Sequence, residues 1–498
     1  MVNAALMGEH VIGVDLADVL DPNGEHLTTL AWGDSVELLE EGPKRVRIAL
    51  TGFKVRSDGS QIPVRREGSV AKGSRSAPAV VDREKAAVLK IDFVDVQQGD
   101  AAVIETPRGE VILVDGGDNQ LFARYLAGQY RGTSPEKPKE IACVVVSHGD
   151  ADHFRGLTEI FESESNDDPK KRLFMQPLRI YHNGLVKRPD KVPDEEQLGA
   201  TAGTKDNLII TGLEQDLLAV ADSEMNGPFK AWKKALKHFA GRGPIAFRRL
   251  QKGDDDAFDF LTGEKIRVEV LGPIPTEVGG KTGLKFLGEP TRKFGHPSQS
   301  ATTFGDPSVS HTINGHSIVL RLAYGDWHLL FAGDLNEQAE GTLADLHEAK
   351  KLDLRSEVFK VPHHGSADFL HRFLEAVEPV VSVVSSGDER EHIHPRATLM
   401  SALGKYGRDH EPVVFVTEMV AAFKPEGFVK NDPPKAGTWA KRRDPFFAFS
   451  RPAFGLVRVR TDGQRLLVYT NSGQARMKES YAFEMTDGRA VAQKVVRV

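Results

Sequence analysis

Four side chains able to bind metal crowd one short stretch. In SHGDADHFRG, His148, Asp150, Asp152 and His153 fall within six positions. Neutral imidazoles and carboxylates are the ligand types of hydrolytic zinc and manganese sites. Packed so closely, they would otherwise be an electrostatic cost with no evident structural purpose. A polar loop accounts for the cluster taken alone, but two further elements weigh against that. Asp334 closes the apolar run HLLFAGD, and His363 and His364 close EVFKVP. Chance makes one apolar segment ending in His or Asp easily and three together rarely. The chemistry such a set supports is hydrolysis by a metal-activated water. The single cysteine, Cys143, excludes a site built from several thiolates. Within IACVVV it reads as a small buried thiol.

Positioning these residues requires strands whose ends meet. IACVVVSHGDADH is an apolar strand ending in a burst of polar residues, and a turn after it can aim all four ligands at one point. AAVLKIDFVDVQQGDAAVIETPRGEVILVDGG reads as three strands joined by tight turns, and SIVLRLAYGDWHLLFAGD as a hairpin. EQAEGTLADLHEAKKL reads as a helix. Strands and helices in this order predict a layered α/β domain with its special residues at the strand ends, the usual place for sites in such folds. No G-x-S-x-G serine elbow is present. The GKT at Gly280 to Thr282 fails as a phosphate loop, because Pro275 stands where its first glycine belongs.

With these segments assembled, the sequence resembles the metallo-β-lactamase superfamily, and within it the hydrolase domain of the ComEC/Rec2 competence proteins. FVDVQQGDAAVIETPRGEVILVDGG, VVVSHGDADHFRGL, NGHSIVLRLAYGDWHLLFAGDLNEQAEGTL, VFKVPHHGS and VSVVSSGDEREHIHPRATLMSAL carry the resemblance. It implies an αββα sandwich holding two divalent ions, zinc or manganese. His148 and Asp150 would bind one ion, and Asp152 and His153 the other. Asp334 would bridge both, and either His363 or His364 would complete the second sphere. Asp115 would orient the site by hydrogen bonds, and Asp100 would brace the QQGD turn. His394, in the HP element, would meet substrate or donate a proton to the leaving group, or else pack as a turn histidine. Asn314 and Ser366 would touch substrate. Many superfamily members have His at the position of Asp150, whereas the ComEC-like branch has an acid; a hard oxygen ligand there favours manganese. Asn314 stands where many members place another metal-binding His, which weakens the first ion's sphere. His316 nearby reads as an ordinary strand residue.

Length and composition set the surroundings. The 498 residues are 40% hydrophobic and 27% charged, an ordinary globular balance with room for two or three folded units. No run of about 18 apolar residues predicts a membrane helix. The start, MVNAALMGEHVIGVDL, lacks the basic and apolar regions of a secretory signal, so the cytoplasm is the expected location. Residues 1–84 read as a small β domain with a weak likeness to bacterial SH3-like domains, serving as a docking module for a protein partner or as a structural cap. REGSVAKGSRSAPAV reads as a linker. The hydrolase domain is placed at 85–475, with additions near 161–310 and 418–453, and a C-terminal tail at 476–498.

The ComEC-like resemblance implies a phosphodiesterase or nuclease, with nucleic acid or another phosphodiester as the partner. One further feature agrees with that. FKAWKKALKHFAGRGPIAFRRLQK carries Lys230, Lys233, Lys234, Lys237, Arg248 and Arg249 with no acid, in a chain of net charge −6. Its basic groups could meet phosphates while Phe229, Trp232, Phe239 and Phe247 stack on bases. The competing reading is a surface helix burying Trp232, Leu236 and Phe239 at helical spacing, with solvated lysines opposite. Two other functions stay open. One is a small-molecule phosphoesterase of the same fold, and the other a binding or assembly protein with a vestigial metal site.

Overall fold

A computed structural model describes residues 9–204, 207–291, 303–387, 394–408, 412–417, 455–470 and 479–497. Two sheets face each other. The first has ten strands, in the order Ala246–Arg249, Arg179–His182, Cys143–Val145, Val111–Asp115, Ala101–Glu105, Leu89–Val94, Leu456–Thr461, Arg465–Thr470, Glu479–Thr486 and Arg489–Arg497. The second has six, in the order Ile266–Gly272, Val319–Tyr324, Trp327–Phe331, Val358–Lys360, Val381–Val384 and Val413–Val416.

Alternation along the strands builds the layers. Ile112, Val114, Cys143 and Val145 of the first sheet meet Leu322, Leu329, Phe331 and Val358 of the second in one buried core. The intervening residues turn outward. Leu113 and Val144 pack on Phe122, Leu126, Phe154, Leu157 and Trp232 of three helices. Leu330 and Phe359 pack on Leu343, Phe373 and Leu403 of three others. The result is the expected helix–sheet–sheet–helix arrangement of an α/β domain. Cys143 lies in the inter-sheet core, as a small apolar group would.

Three expectations about organisation change. The stretch 161–310 is not simply an addition. Arg179–His182 and Ala246–Arg249 extend the first sheet by parallel pairing, and Ile266–Gly272 pairs antiparallel with Val319–Tyr324 in the second. Long polar connections between short apolar strands hid these core members. Elements outside both sheets do lie in this stretch, including the hairpin Thr276–Val278 with Lys281–Lys285 that contains the GKT run. The supposed tail holds two antiparallel strands at the edge of the first sheet. The supposed linker is in part structured: Gln61–Ala71 pairs along its whole length with Arg45–Val55, and Val70 is fully buried. Its small and charged residues face solvent on one side of a hairpin, which composition alone cannot tell from a linker. The addition placed at 418–453 lies outside the described residues.

The N-terminal unit is a seven-stranded antiparallel sheet. Ala31 and Trp32 anchor it on Val88, Leu467, Tyr469 and Ala482 of the main domain. Beside this apolar contact, a cleft of about 890 Å³ separates Leu50 and Phe53 from Lys90, Asp92, Arg458 and Arg460 on the outer face of the first sheet.

Candidate metal centre

Parallel pairing brings the strand ends together. In the first sheet Val114 aligns with Val145, so Asp115 and His148 emerge at one edge. In the second sheet Phe331 aligns with Lys360 and Lys360 with Val383, so Asp334, His364 and His394 follow strands that end side by side. The two edges are tied across the core: Ile318 N donates to the Ser147 carbonyl at 2.8 Å, and Asp334 N donates to Ser317 Oγ at 2.9 Å.

The imidazoles are oriented from behind. Asp115 adopts a positive φ of 58°, a backbone shape costly for a non-glycine residue. From there Oδ1 accepts from Ser147 N at 2.7 Å, and Oδ2 lies 2.9 Å from His153 Nδ1. A proton on Nδ1 shared with that carboxylate leaves Nε2 as a lone-pair donor. His148 Nδ1 lies 3.0 Å from Ser147 Oγ, and His364 Nδ1 lies 3.2 Å from Asp100 Oδ1. Asp100 is held in turn by the buried ammonium of Lys360. Gly99 lets this turn approach the helix Ala151–Ser163, since a Cβ there would sit 1.8 Å from the Asp152 carbonyl oxygen.

The opposite nitrogens converge on carboxylates. Asp334 Oδ1 lies 3.2 Å from His153 Nε2, and Asp334 Oδ2 lies 3.1 Å from His364 Nε2 and 4.0 Å from His148 Nε2. His364 Nε2 is also 3.5 Å from Asp152 Oδ2. His148 Nε2 is buried without a hydrogen-bond partner among the described residues, and Nε2 of His153 and His364 face only carboxylates. So many ligand-type atoms turned on one point would be costly in a finished core. Ligands about 2.1 Å from a shared ion stand about 3.4 Å apart in a tetrahedron, which matches these separations. The residues therefore fit a divalent cation, and four overlapping His/Asp groups of suitable spacing occur here. The geometry also separates the histidine pair. His364 faces Asp152 and Asp334, while His363 Nε2 lies 3.5 Å from the Asn314 amide nitrogen.

Charge in the cluster is strongly redistributed. Burial favours neutral His153, but Asp334, Asp115 and Asp152 more than offset it and hold the ring protonated well above its usual range. His364 follows the same pattern, with Asp334 and Asp100 overcoming burial. Burial raises Asp152, yet His153 and His364 bring it well below the ordinary carboxylate range. An entering cation must displace the protons that these carboxylates hold on the two rings. Apparent metal affinity is therefore expected to fall as pH falls, with protons released on binding. Calorimetric titration in buffers of different ionisation enthalpy checks this; a pH-independent affinity with no proton release contradicts it.

Residues 94–169, which hold Asp100, Asp115 and the His148–His153 run, match the family model for the metallo-beta-lactamase superfamily. That stretch of the chain is similar to the metallo-β-lactamase superfamily. A 95-residue stretch is 35% identical to "Competence protein ComA" of Neisseria gonorrhoeae, covering 19% of this chain and 13% of that protein. The matched part thus spans a small fraction of the relative's length.

The His/Asp cluster opens into a cavity of about 200 Å³. Gln97, Gln98, Asp150, Ser310, Asn314 and His394 are among its lining residues. The His394 ring lies 5.8 Å from that of His363, centroid to centroid, and both line this cavity. Asp150 is the N-cap of Ala151–Ser163 but makes no capping bond; its Oδ1 lies 3.3 Å from Lys187 Nζ. Ser366 instead shapes its turn, with Oγ accepting from Asp368 N at 3.2 Å, and it does not line the cavity. His316 Nε2 is committed to the Lys285 carbonyl oxygen at 2.7 Å. Sequence reasoning missed Lys187 and Lys360, which carry no local signal. Ser147, directly before His148, could have been found.

The basic segment divides. Asn226 caps the helix Gly227–Ala240 by accepting from Phe229 N, and Trp232, Leu236 and Phe239 are buried at helical spacing. Phe229 is buried as well, and Phe247 packs partly buried against the same core, so these aromatics build structure and are not arranged as a stacking platform. Lys233 is also withdrawn: it is 6% exposed and bonds the Val220 carbonyl and Asp222. Arg248 grips Asp256 through two hydrogen bonds, and Arg249 bonds Gln251. Lys230, Lys234 and Lys237 remain exposed on one helix face. No helix among the described residues is long and apolar enough to cross a membrane.

Proposed function

We propose that this protein is a metal-dependent phosphodiesterase acting on nucleic acid. The carrying observation is the convergence of buried His148, His153, His364 and Asp334, of which Asp334 and His364 line the cavity. A bound divalent ion would supply a hydroxide at neutral pH and neutralise charge developing on an attacked phosphoryl oxygen. Asp334, Asp152, His153 and His364 would hold the ion, with His148 and Asp150 toward a second position. Asp115 fixes the His153 tautomer and Asp100 braces His364. His394 stands where it can meet substrate or give a proton to the leaving oxygen. The cavity of about 200 Å³ has room for the scissile group, and a longer substrate would extend beyond it. The helix that packs on Gly149 through Phe229 carries exposed Lys230, Lys234 and Lys237, a basic face that a nucleic-acid backbone could meet. The partial match to a competence protein supports the ComEC-like reading, under which nucleic acid would be the partner. The N-terminal sheet, read as SH3-like, would serve as the surface for a protein partner.

The small cavity also suits a second reading, hydrolysis of a small phosphoester. One experiment separates the two. Protein stripped with chelator is resupplied with zinc, manganese or magnesium, then assayed on labelled single- and double-stranded DNA and RNA and on bis(p-nitrophenyl) phosphate. Metal-restored cleavage of an oligonucleotide is expected. Turnover of the small diester alone favours the second reading, and no turnover with any metal removes both.

A further inference from the structure

The ligand atoms are not shared evenly between two ion positions. Each of the four His/Asp groups with metal-like spacing contains His153 or His364, and Asp150 belongs to none of them. Asp150 has a different neighbour, the Lys187 ammonium at 3.3 Å. The lysine is well anchored: its carbonyl accepts from Asn226 N at 2.9 Å, where the helix Gly227–Ala240 begins, and the adjacent Arg188 pairs with Glu224. On the same side of the cavity Asn314 offers only a neutral amide, next to His363.

Counting charge shows the consequence. An ion held by Asp152, His153 and His364 would also stand near Asp334, which lies 3.2 Å from His153 Nε2 and 3.1 Å from His364 Nε2, with Asp100 and Asp115 behind the rings. An ion beside His148 and Asp150 would meet one carboxylate already matched by an ammonium. Repulsion from the first ion acts on top of this.

We propose that the two positions are unequal by construction: one ion is held tightly by Asp152, His153, His364 and Asp334, and Lys187 occupies Asp150 as a built-in cation at the second position. This rests on the metal-dependent reading above and deepens it. The ammonium stands 3.3 Å from Asp150, which lines the cavity, so its charge is felt at the second position. A lysine is a compact point charge suited to that role.

Metal content and affinity test it without reference to turnover. Stripped full-length protein is titrated with manganese and with zinc by calorimetry, then desalted and analysed for metal. One ion per chain is expected to survive desalting, with a second binding about tenfold to 100-fold more weakly. Lys187→Met is expected to strengthen the second event by about tenfold, while Lys187→Arg, which keeps the charge, leaves it weak. Asp152→Asn should abolish the tight event. Thermal melts of each variant exclude loss of folding as the cause. Two ions of equal affinity in the unaltered protein, or no change with Lys187→Met, overturn the proposal and leave the metal-dependent reading standing. Failure to bind any ion removes that reading itself.

Discussion

Asp334→Asn is expected to lower metal-dependent kcat/KM by about 10³-fold or more, the scale seen when one group stabilising transition-state charge is lost. The substitution keeps shape and leaves the Asp334 amide free to donate to Ser317 Oγ, so the local backbone should hold. What it removes is the negative charge between His153 and His364. Asp334 is 3% exposed, buried against both rings, and burial alone would raise its pKa; the two histidines instead hold it well below the carboxylate range. Without that charge the centre loses a ligand, and the paired rings lose their main electrostatic partner. Metal content after desalting should fall with activity, while the far-ultraviolet spectrum stays unchanged. A variant keeping more than about a tenth of wild-type activity would remove Asp334 from the centre, since even a lost supporting contact costs about that much.

Asp92→Asn is expected to destabilise the main domain by about 3 kcal/mol, far from the metal cluster. Asp92 Oδ1 accepts from Arg460 Nη1 at 2.9 Å, and Arg458 Nε lies 3.7 Å from Oδ2. Arg460 is 2% exposed, and the Tyr125 hydroxyl also donates to Asp92. Removing the carboxylate's charge leaves a buried guanidinium unmatched, which costs more than the pair itself contributes. The pH dependence has a definite sign. Burial raises the Asp92 pKa, but Arg458 and Arg460 outweigh it and depress the carboxyl below its ordinary range. Its contribution is then present above the unfolded value of about 4 and lost as pH falls. The Asn variant should therefore melt earlier at neutral pH, and the gap should narrow in acid. A gap constant down to low pH would show that Asp92 acts by packing, not by charge.

Much of the centre was legible because ligands, unlike contacts, are marked by residue type. His148 and Asp334 follow the ends of apolar strands, Asp152 and His153 open the helix after one of them, and strands in parallel register deliver their ends to a common edge. The same logic misjudged residues whose type can serve two purposes. Lys233 carries the same charge as Lys234, yet one turns into the core and the other to solvent. Arg248 could have met a phosphate, but Asp256 lies closer. Trp232 and Phe239 fit a base-stacking pattern and a helix core equally well, and burial decided for the core.

By itself, the sequence determined the α/β class, the apolar strands and the polar turns that close them, and it offered a candidate ligand set. Those features follow from local alternation and residue chemistry, which need no partner. Only the tertiary structure decided that His364 rather than His363 faces Asp152 and Asp334, and that Lys187 sits against Asp150. It also drew the strands near 180, 247 and 269 and the C-terminal hairpin into the main sheets. These choices depend on which segments meet across long stretches of chain, and that is set by the packing of two sheets as a whole, which no local pattern encodes.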